Sequence, residues 1–205
     1  VSHRRLSNGD DKPYELNISW WSAMEDSSRD AKRFQYERFI LSQLLVMALK
    51  GVPAFYLPAL LASENDIKSF SMTGQRRDLN REKFKSENLS AVLNNPESNA
   101  NKNLKYLRNA MDVRSELKQF HPCSQMKCLS KGRSDIVVIK RGKGPESVFA
   151  IHNMTENKIN YQLNDNDLPK IIDNDFNTHD FLTSTKYNCK NISLDPFQVI
   201  WLSAL

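Results

Sequence analysis

The stretch Gln75 to Lys85 holds the densest group of side chains able to do chemistry: Arg76, Arg77, Asp78, Asn80, Arg81 and Glu82. A guanidinium carries a permanent charge and planar, paired donors, so it suits bidentate recognition of oxygen-rich groups. Arg76 and Arg77 side by side could attract a phosphate or a carboxylate. Arg81 has two readings: a ligand-holding donor fork, or an ordinary salt bridge to Asp78 or Glu82. Asn65 and Asp66 precede this cluster in a polar loop, Ala62 to Gly74. His121, Cys123 and Cys128 lie close together, but their spacing matches none of the usual zinc patterns, so no metal is expected.

The elements that must position these groups lie on either side. Val52 to Leu61 is an apolar, aromatic run broken by Pro53 and Pro58. It reads as a short buried strand with a proline at its start, where no ladder donor is needed. Before it, Ala31 to Lys50 places Ala31, Phe34, Ile40, Leu41, Leu44, Leu45, Met47 and Ala48 on one apolar helical face. Asp26 to Asp30 offers capping side chains, and Gly51 stops the helix. A helix, a short turn and a buried strand that discharges into charged residues form the αβ step of a barrel, whose working loops follow the strands. A second helix is expected over Asn101 to Leu117, with Leu104, Leu107, Ala110, Met111, Val113 and Leu117 on one side. Ser86 to Ala100 reads as a loop with a short helix at most.

Upstream, Ser7 to Asp11 is a turn signal. Tyr14 to Trp21 alternates apolar and polar side chains, as a short strand or extended loop does. Trp20 and Trp21 then face opposite ways, either packing or forming an aromatic wall on which a sugar face could stack.

Composition shifts near Phe120 toward short strands and turns. Asp135 to Lys140 is one strand. Val148 to Asn153 and Lys158 to Leu163 form a hairpin around Thr155-Glu156-Asn157. Phe181 to Thr183 and Asn191 to Leu202 supply two more. This spacing predicts an antiparallel sandwich. The expected fold is α/β plus all-β, divided into residues 1–119 and 120–205.

Bulk properties narrow the function. A net charge of +5 spread along 205 residues leaves no basic face interleaved with aromatics, so nucleic acid is not expected as a partner. No apolar run reaches the ~20 residues a membrane helix needs. Val1-Ser-His-Arg-Arg is not followed by an apolar signal core, and three cysteines make no disulfide framework. Both point to a cytoplasmic protein.

GVPAFYLPALLASEND resembles the last barrel strand and following loop of the α-amylase superfamily, with its Gly-x-Pro-x-x-Tyr pattern. TGQRRDLNREKF is similar to the Gly-Arg-x-Ile/Leu-Asn-Arg segment of the sucrose phosphorylase branch, which includes the glucosylglycerate and glucosylglycerol phosphorylases. Tyr14, Asn17, Trp20, Trp21, Ser22 and Ala23 match a loop that follows the branch's seventh barrel strand. Leu182, Thr183, Leu194, Pro196, Phe197, Val199, Trp201 and Leu202 match the close of the amylase-type β-domain.

The resemblance implies the C-terminal segment of a TIM (β/α)8 barrel followed by an antiparallel β-sandwich. It implies a retaining enzyme that cleaves a small α-glucoside with inorganic phosphate to give glucose 1-phosphate, with no cofactor and no metal. Such chemistry needs two carboxylates across the glycosidic bond. In the family these lie upstream of the part matched here, so no residue of this chain is assigned a catalytic role. By resemblance Arg81 holds the bound glucose, and Asn65 and Asp66 sit in the loop facing the leaving sugar or the phosphate. Arg76 and Arg77 would suit phosphate or an acidic acceptor such as glycerate. The chain has Gly-Gln-Arg-Arg-Asp where sucrose phosphorylase tends to have a shorter Gly-Arg-Asp, which leaves the acceptor open. A hydrolase of the same superfamily and a stand-alone carbohydrate-binding protein are the competing readings. The missing N-terminal barrel portion is the main expected partner, with a homodimer as an open option. These 205 residues alone are expected to be inactive.

Overall fold

The computed structural model describes residues 1–26, 30, 32–164 and 176–203. By packing the chain forms two compact units. One gathers residues 1–35 and 55–106; the other gathers 36–54 and 107–205. The strand-rich region beyond Phe120 therefore shares its unit with residues 36–54 and 107–119.

The chain opens with an antiparallel pair, β1 (Ser2–Arg5) and β2 (Asp11–Glu15). The expected turn lies between them, closed by the Leu6 amide donating to the Asp10 carbonyl at 2.8 Å. Helix α1 (Gln35–Ala48) is the expected first long helix, but it starts later. Phe34 adopts a left-handed φ of 57°, which α-helical backbone excludes. The expected helix start at residue 31, and most of the capping run, lie outside the described residues.

The expected strand over Val52 to Leu61 is not formed. Residues 52–56 carry no regular structure, and α2 (Leu57–Leu60) is a single helical turn with Pro58 in its first positions. A strand exists only through its ladder, and among the described residues nothing pairs with this run. Val52 is left 80% exposed and Tyr56 57% exposed. The loop expected over 62–74 contains helix α3 (Ile67–Thr73), capped by Asp66 and closed by Gly74 at φ 68°. The region expected to hold little helix contains α4 (Ser86–Asn94), and α5 (Asn99–Glu116) follows.

The strands are β3 (Met126–Cys128), β4 (Ile136–Arg141), β5 (Val148–Asn153), β6 (Ile159–Tyr161), β7 (Asn177–His179), β8 (Lys186–Asn188), β9 (Ile192–Leu194) and β10 (Val199–Ser203). Their main sheet is antiparallel in the order β10-β5-β4-β3. The hairpin expected between 148–153 and 158–163 is not made. Both edges of β5 are taken, by β4 and β10, so β6 pairs instead with β9. Asn153 turns the chain out of the sheet, its side-chain amide donating to the carbonyls of Asn157 and Asp195, each at 2.8 Å. The strand expected over 181–183 is a turn. The buried Asp180 carboxylate accepts from the Leu182 amide, the Thr183 hydroxyl and the Trp201 amide, which bends the chain there.

The strands β4, β5 and β10 of the main sheet are buried on both faces, which explains the unbroken apolar runs of β4 and β5, while the edge strand β3 is exposed. Ile136, Val138, Phe149, Ile151, Ile200 and Leu202 face a core shared with Leu163, Cys189, Ile192 and Leu194. The opposite face carries Arg141, His152 and Trp201. Arg141 is fully buried, and its guanidinium donates to the carbonyls of Ala48, Leu49 and His121 at 2.9, 2.6 and 3.0 Å. Arg114 donates to the carbonyls of Met47, Gly51 and Phe120 at 3.0 to 3.1 Å. The last carbonyls of α1, left without helical partners, are thereby satisfied by cations, the sign its C-terminal dipole favours. Phe120 packs against Trp201, ring centroids 4.7 Å apart.

His152 is fully buried, with Nδ1 3.3 Å from the Val137 carbonyl oxygen. Burial pushes its pKa down to about 4. An unfolded histidine takes up a proton near pH 6.5, whereas the folded one resists. Stability is therefore whole above pH 6.5 and is lost as pH falls from 6.5 toward 4, by up to about 3 kcal/mol. Urea midpoints at pH 7 and pH 4.5 are expected to differ more for the native sequence than for His152→Leu. Equal differences would show that His152 does not carry this acid sensitivity.

Candidate functional site

The predicted site residues all lie in the first unit, on three segments, 16–24, 62–66 and 75–81. Asn65 joins two of them. Its Oδ1 accepts from the Ser19 amide at 2.7 Å, and its own amide donates to the Ser22 hydroxyl at 3.1 Å. Asp66 joins the third, its amide donating to the Leu79 carbonyl at 2.8 Å. The chain reaches this corner through Ala62 at φ 50°, a left-handed conformation that costs an alanine roughly 1 kcal/mol. Asn103, fully buried on α5, supports the approach by donating to the carbonyls of Ala59 and Leu60 at 3.1 and 2.7 Å.

The Asp66 carboxylate caps α3, accepting from the Ser69 amide at 2.8 Å and the Ser69 hydroxyl at 2.5 Å. These bonds hold its carboxyl below the usual carboxylate range, and the charges of Lys68 and Lys83 add to the effect. It stays ionised, but both oxygens are occupied.

Arg76, Arg77 and Arg81 diverge. Arg76 donates to the Val1 carbonyl, and Arg77 pairs with Glu15 at 3.1 Å. The hydrogen bond and charge of Glu15 hold the Arg77 guanidinium above its ordinary range. Both arginines are thus drawn toward the β1–β2 pair. Arg81 is exposed, and its guanidinium has no partner among the described residues. Neither salt bridge open to it in the sequence is formed. The Asp78 carboxylate instead accepts from the Thr73 hydroxyl at 2.6 Å.

The two tryptophans separate, but in a turn leading into a short helix rather than on an extended run. Trp21 is 3% exposed, with its carbonyl accepting from Gln35. Trp20 is 43% exposed and lines a pocket of about 280 Å³ with Leu16, Ile18, Tyr56, Pro58 and Asn80. In the sequence Asn80 belonged to the charged cluster and Tyr56 was the tyrosine of the Gly-x-Pro-x-x-Tyr pattern, but neither was assigned a binding role. Two aromatic rings and a carboxamide in one pocket suit a ligand with both CH-rich and hydroxyl-bearing faces.

Solved structures sharing this fold are enzymes of the α-amylase family. AmyP in complex with maltose aligns with a TM-score of 0.62 over 87% of this chain and 36% of its own, at 15% identity. The trehalose-6-phosphate hydrolase of Bacillus licheniformis aligns with a TM-score of 0.59 over 89% of this chain and 41% of its own, at 16% identity. No protein-family model matches the chain. What these likenesses show is the fold: the chain has the architecture of one part of those two enzymes.

Sequence relatives narrow the class. The glucosylglycerate phosphorylase of Allomeiothermus silvanus is 31% identical over 157 residues, 76% of this chain and 28% of that protein. The glucosylglycerate phosphorylase of Escherichia coli K12 is 23% identical over 203 residues, 98% of this chain and 34% of that protein. The sucrose phosphorylase of Streptococcus mutans is 23% identical over 155 residues, 75% of this chain and 29% of that protein. The chain is a relative of the sucrose phosphorylase-like enzymes of the α-amylase superfamily. It spans about a quarter to a third of the length of these curated relatives.

Asn65→Ala removes the acceptor of the buried Ser19 amide. An unsatisfied buried donor costs about 1–3 kcal/mol. Hydrogen exchange at Ser19 and Ser22 is expected to accelerate by roughly tenfold, with residues 136–153 unchanged. Unchanged exchange at both serines would show that Asn65 does not hold these segments together.

Proposed function

We propose that this chain is the C-terminal portion of a retaining glucoside phosphorylase. Residues 1–119 form the last part of its (β/α)8 barrel, and residues 120–205 its β-sandwich. The intact enzyme transfers glucose from a small α-glucoside, sucrose or glucosylglycerate, to inorganic phosphate, giving glucose 1-phosphate. The observation that carries this reading is the 31% identity to a glucosylglycerate phosphorylase over 76% of the chain.

In this reading the carboxylates that attack and protonate the glycosidic bond come from barrel strands outside the chain. A carboxylate nucleophile displaces the leaving group, and phosphate then displaces the enzyme, so configuration is retained. This chain's contribution is binding. Arg81 offers an unpaired guanidinium for the hydroxyls of the bound glucose. Asn65 and Asp66 shape the loop beside the leaving group. Arg76 and Arg77 add positive charge for phosphate or an acidic acceptor, most strongly if Glu15 and the Val1 carbonyl release them. The exposed run from Val52 to Leu57 is the strand of the complete barrel, waiting for its neighbours.

Incubating the full-length protein with phosphate and glucosylglycerate or sucrose is expected to release glucose 1-phosphate. Arg81→Ala should lower kcat/KM by at least about a hundredfold, roughly 2.7 kcal/mol of transition-state stabilisation. Arg81→Lys should recover only part of this, because it keeps the charge and loses the fork. Release of free glucose would favour the hydrolase reading, and no turnover of either glucoside would overturn the proposal. Residues 1–205 alone are expected to show no activity.

A further inference from the structure

A second cavity in the first unit includes none of the residues assigned to glucoside binding above. It encloses about 170 Å³ beside the first turns of α4. Its apolar wall comes from Leu61, Phe84, Leu89, Val92 and Ala100, of which Leu61 and Ala100 are buried. Ser63 also lines it and is only 7% exposed. The Ser63 backbone amide donates to the Pro58 carbonyl at 2.9 Å. Its hydroxyl has no partner among the described residues, yet it is not sealed within protein as the enclosed orphan atoms are. A hydroxyl on so buried a residue, left unbonded and not sealed, meets the cavity. Buried polar groups find a partner, so this one calls for a ligand or solvent atom there.

Charge defines what that ligand would be. Lys83 and Lys85 line the same cavity with Glu82 and Asn88. Two lysines against one glutamate, all three exposed, leave the mouth of the cavity with a net positive charge. No ion pair engages either lysine among the described residues. The cavity is also smaller than the roughly 300 Å³ at which drug-sized ligand sites begin. α4 buries none of its own residues, and no side chain caps its start. Its apolar side therefore lines the cavity rather than closing over it.

We propose that this cavity binds a small organic anion: a carboxylate or phosphate on a short carbon skeleton that also bears a hydroxyl. Lys83 and Lys85 take the anionic group, the Ser63 hydroxyl donates to it, and Glu82 accepts from the ligand's hydroxyl. The carbon skeleton rests on Leu61 and Ala100. This site does not depend on the phosphorylase reading, and it includes none of the residues assigned to glucoside binding.

The test is calorimetric titration of the full-length protein with three probes: L-lactate, glycerol 3-phosphate and neutral glycerol. At least one anion is expected to bind with Kd in the millimolar range or tighter, and glycerol to bind far more weakly. Lactate alone would identify a carboxylate site, and glycerol 3-phosphate alone a phosphate site. Ser63→Ala should weaken binding by about fivefold, as loss of one net hydrogen bond does. The double variant Lys83→Met with Lys85→Met should abolish it. Hydrogen exchange on the native sequence gives a second readout, with ligand protecting residues 82–92. The proposal is overturned if neither anion binds better than glycerol, if the lysine double variant binds as well as the native protein, or if protection falls elsewhere.

Discussion

Two arginines, Arg141 fully buried and Arg114 half-buried, holding the C-terminal end of one helix are the interaction on which the strand-rich unit depends. α1 ends in carbonyls that have no helical partners. Arg114 and Arg141 supply donors to those of Met47, Ala48 and Leu49, and extend the grip to Gly51, Phe120 and His121. The arrangement does two jobs at once. It satisfies the helix end, and it compensates two cations by carbonyl dipoles rather than by carboxylates. Because Arg141 is on β4, the same bonds fix the helix against the main sheet. Phe120 packs on Trp201 beneath them, so the second face of that sheet is closed by one cluster.

The first unit is held by a different kind of bond. Its segments have little ladder to share and few buried apolar residues, so side-chain amides do the joining. Asn65 ties 65 to 19 and 22, and Asn103 ties α5 to the end of α2. Such bonds place loops without covering them. The result is a polar corner with Arg81 unpaired, an aromatic pocket at Trp20 and Tyr56, and a smaller cationic cavity by α4. This is the arrangement expected of binding loops set on a supporting scaffold.

Much of the strand-rich region was legible in the residue pattern. The apolar runs at 136–141, 148–153 and 199–203 are strands because nothing else accommodates so many branched and aromatic residues in so short a span. Pairing was less legible. β6 lies only a short turn beyond β5, but β5 was already flanked on both edges, and occupancy of an edge is not written locally. The strand over 52–61 failed for a related reason: its residue types suit a strand, but among the described residues nothing pairs with it. Within the site, the arginine cluster was evident from spacing. Which arginine stayed unpaired was not, since Glu15 lies 62 residues from Arg77.

The sequence by itself determined the two long helices, the apolar strands and the chemical character of the 75–85 cluster. It also determined the resemblance to the phosphorylase branch, through motifs whose residues are contiguous. These are properties of local periodicity and composition. Only the tertiary structure decided that Arg76 and Arg77 turn to the β1–β2 pair while Arg81 remains unpaired, that Trp20 faces a pocket while Trp21 is buried, and that Ser63 meets a cavity. Each of these depends on which distant group arrives first to satisfy a donor, an acceptor or an apolar surface, and that competition is settled only when the whole chain has packed.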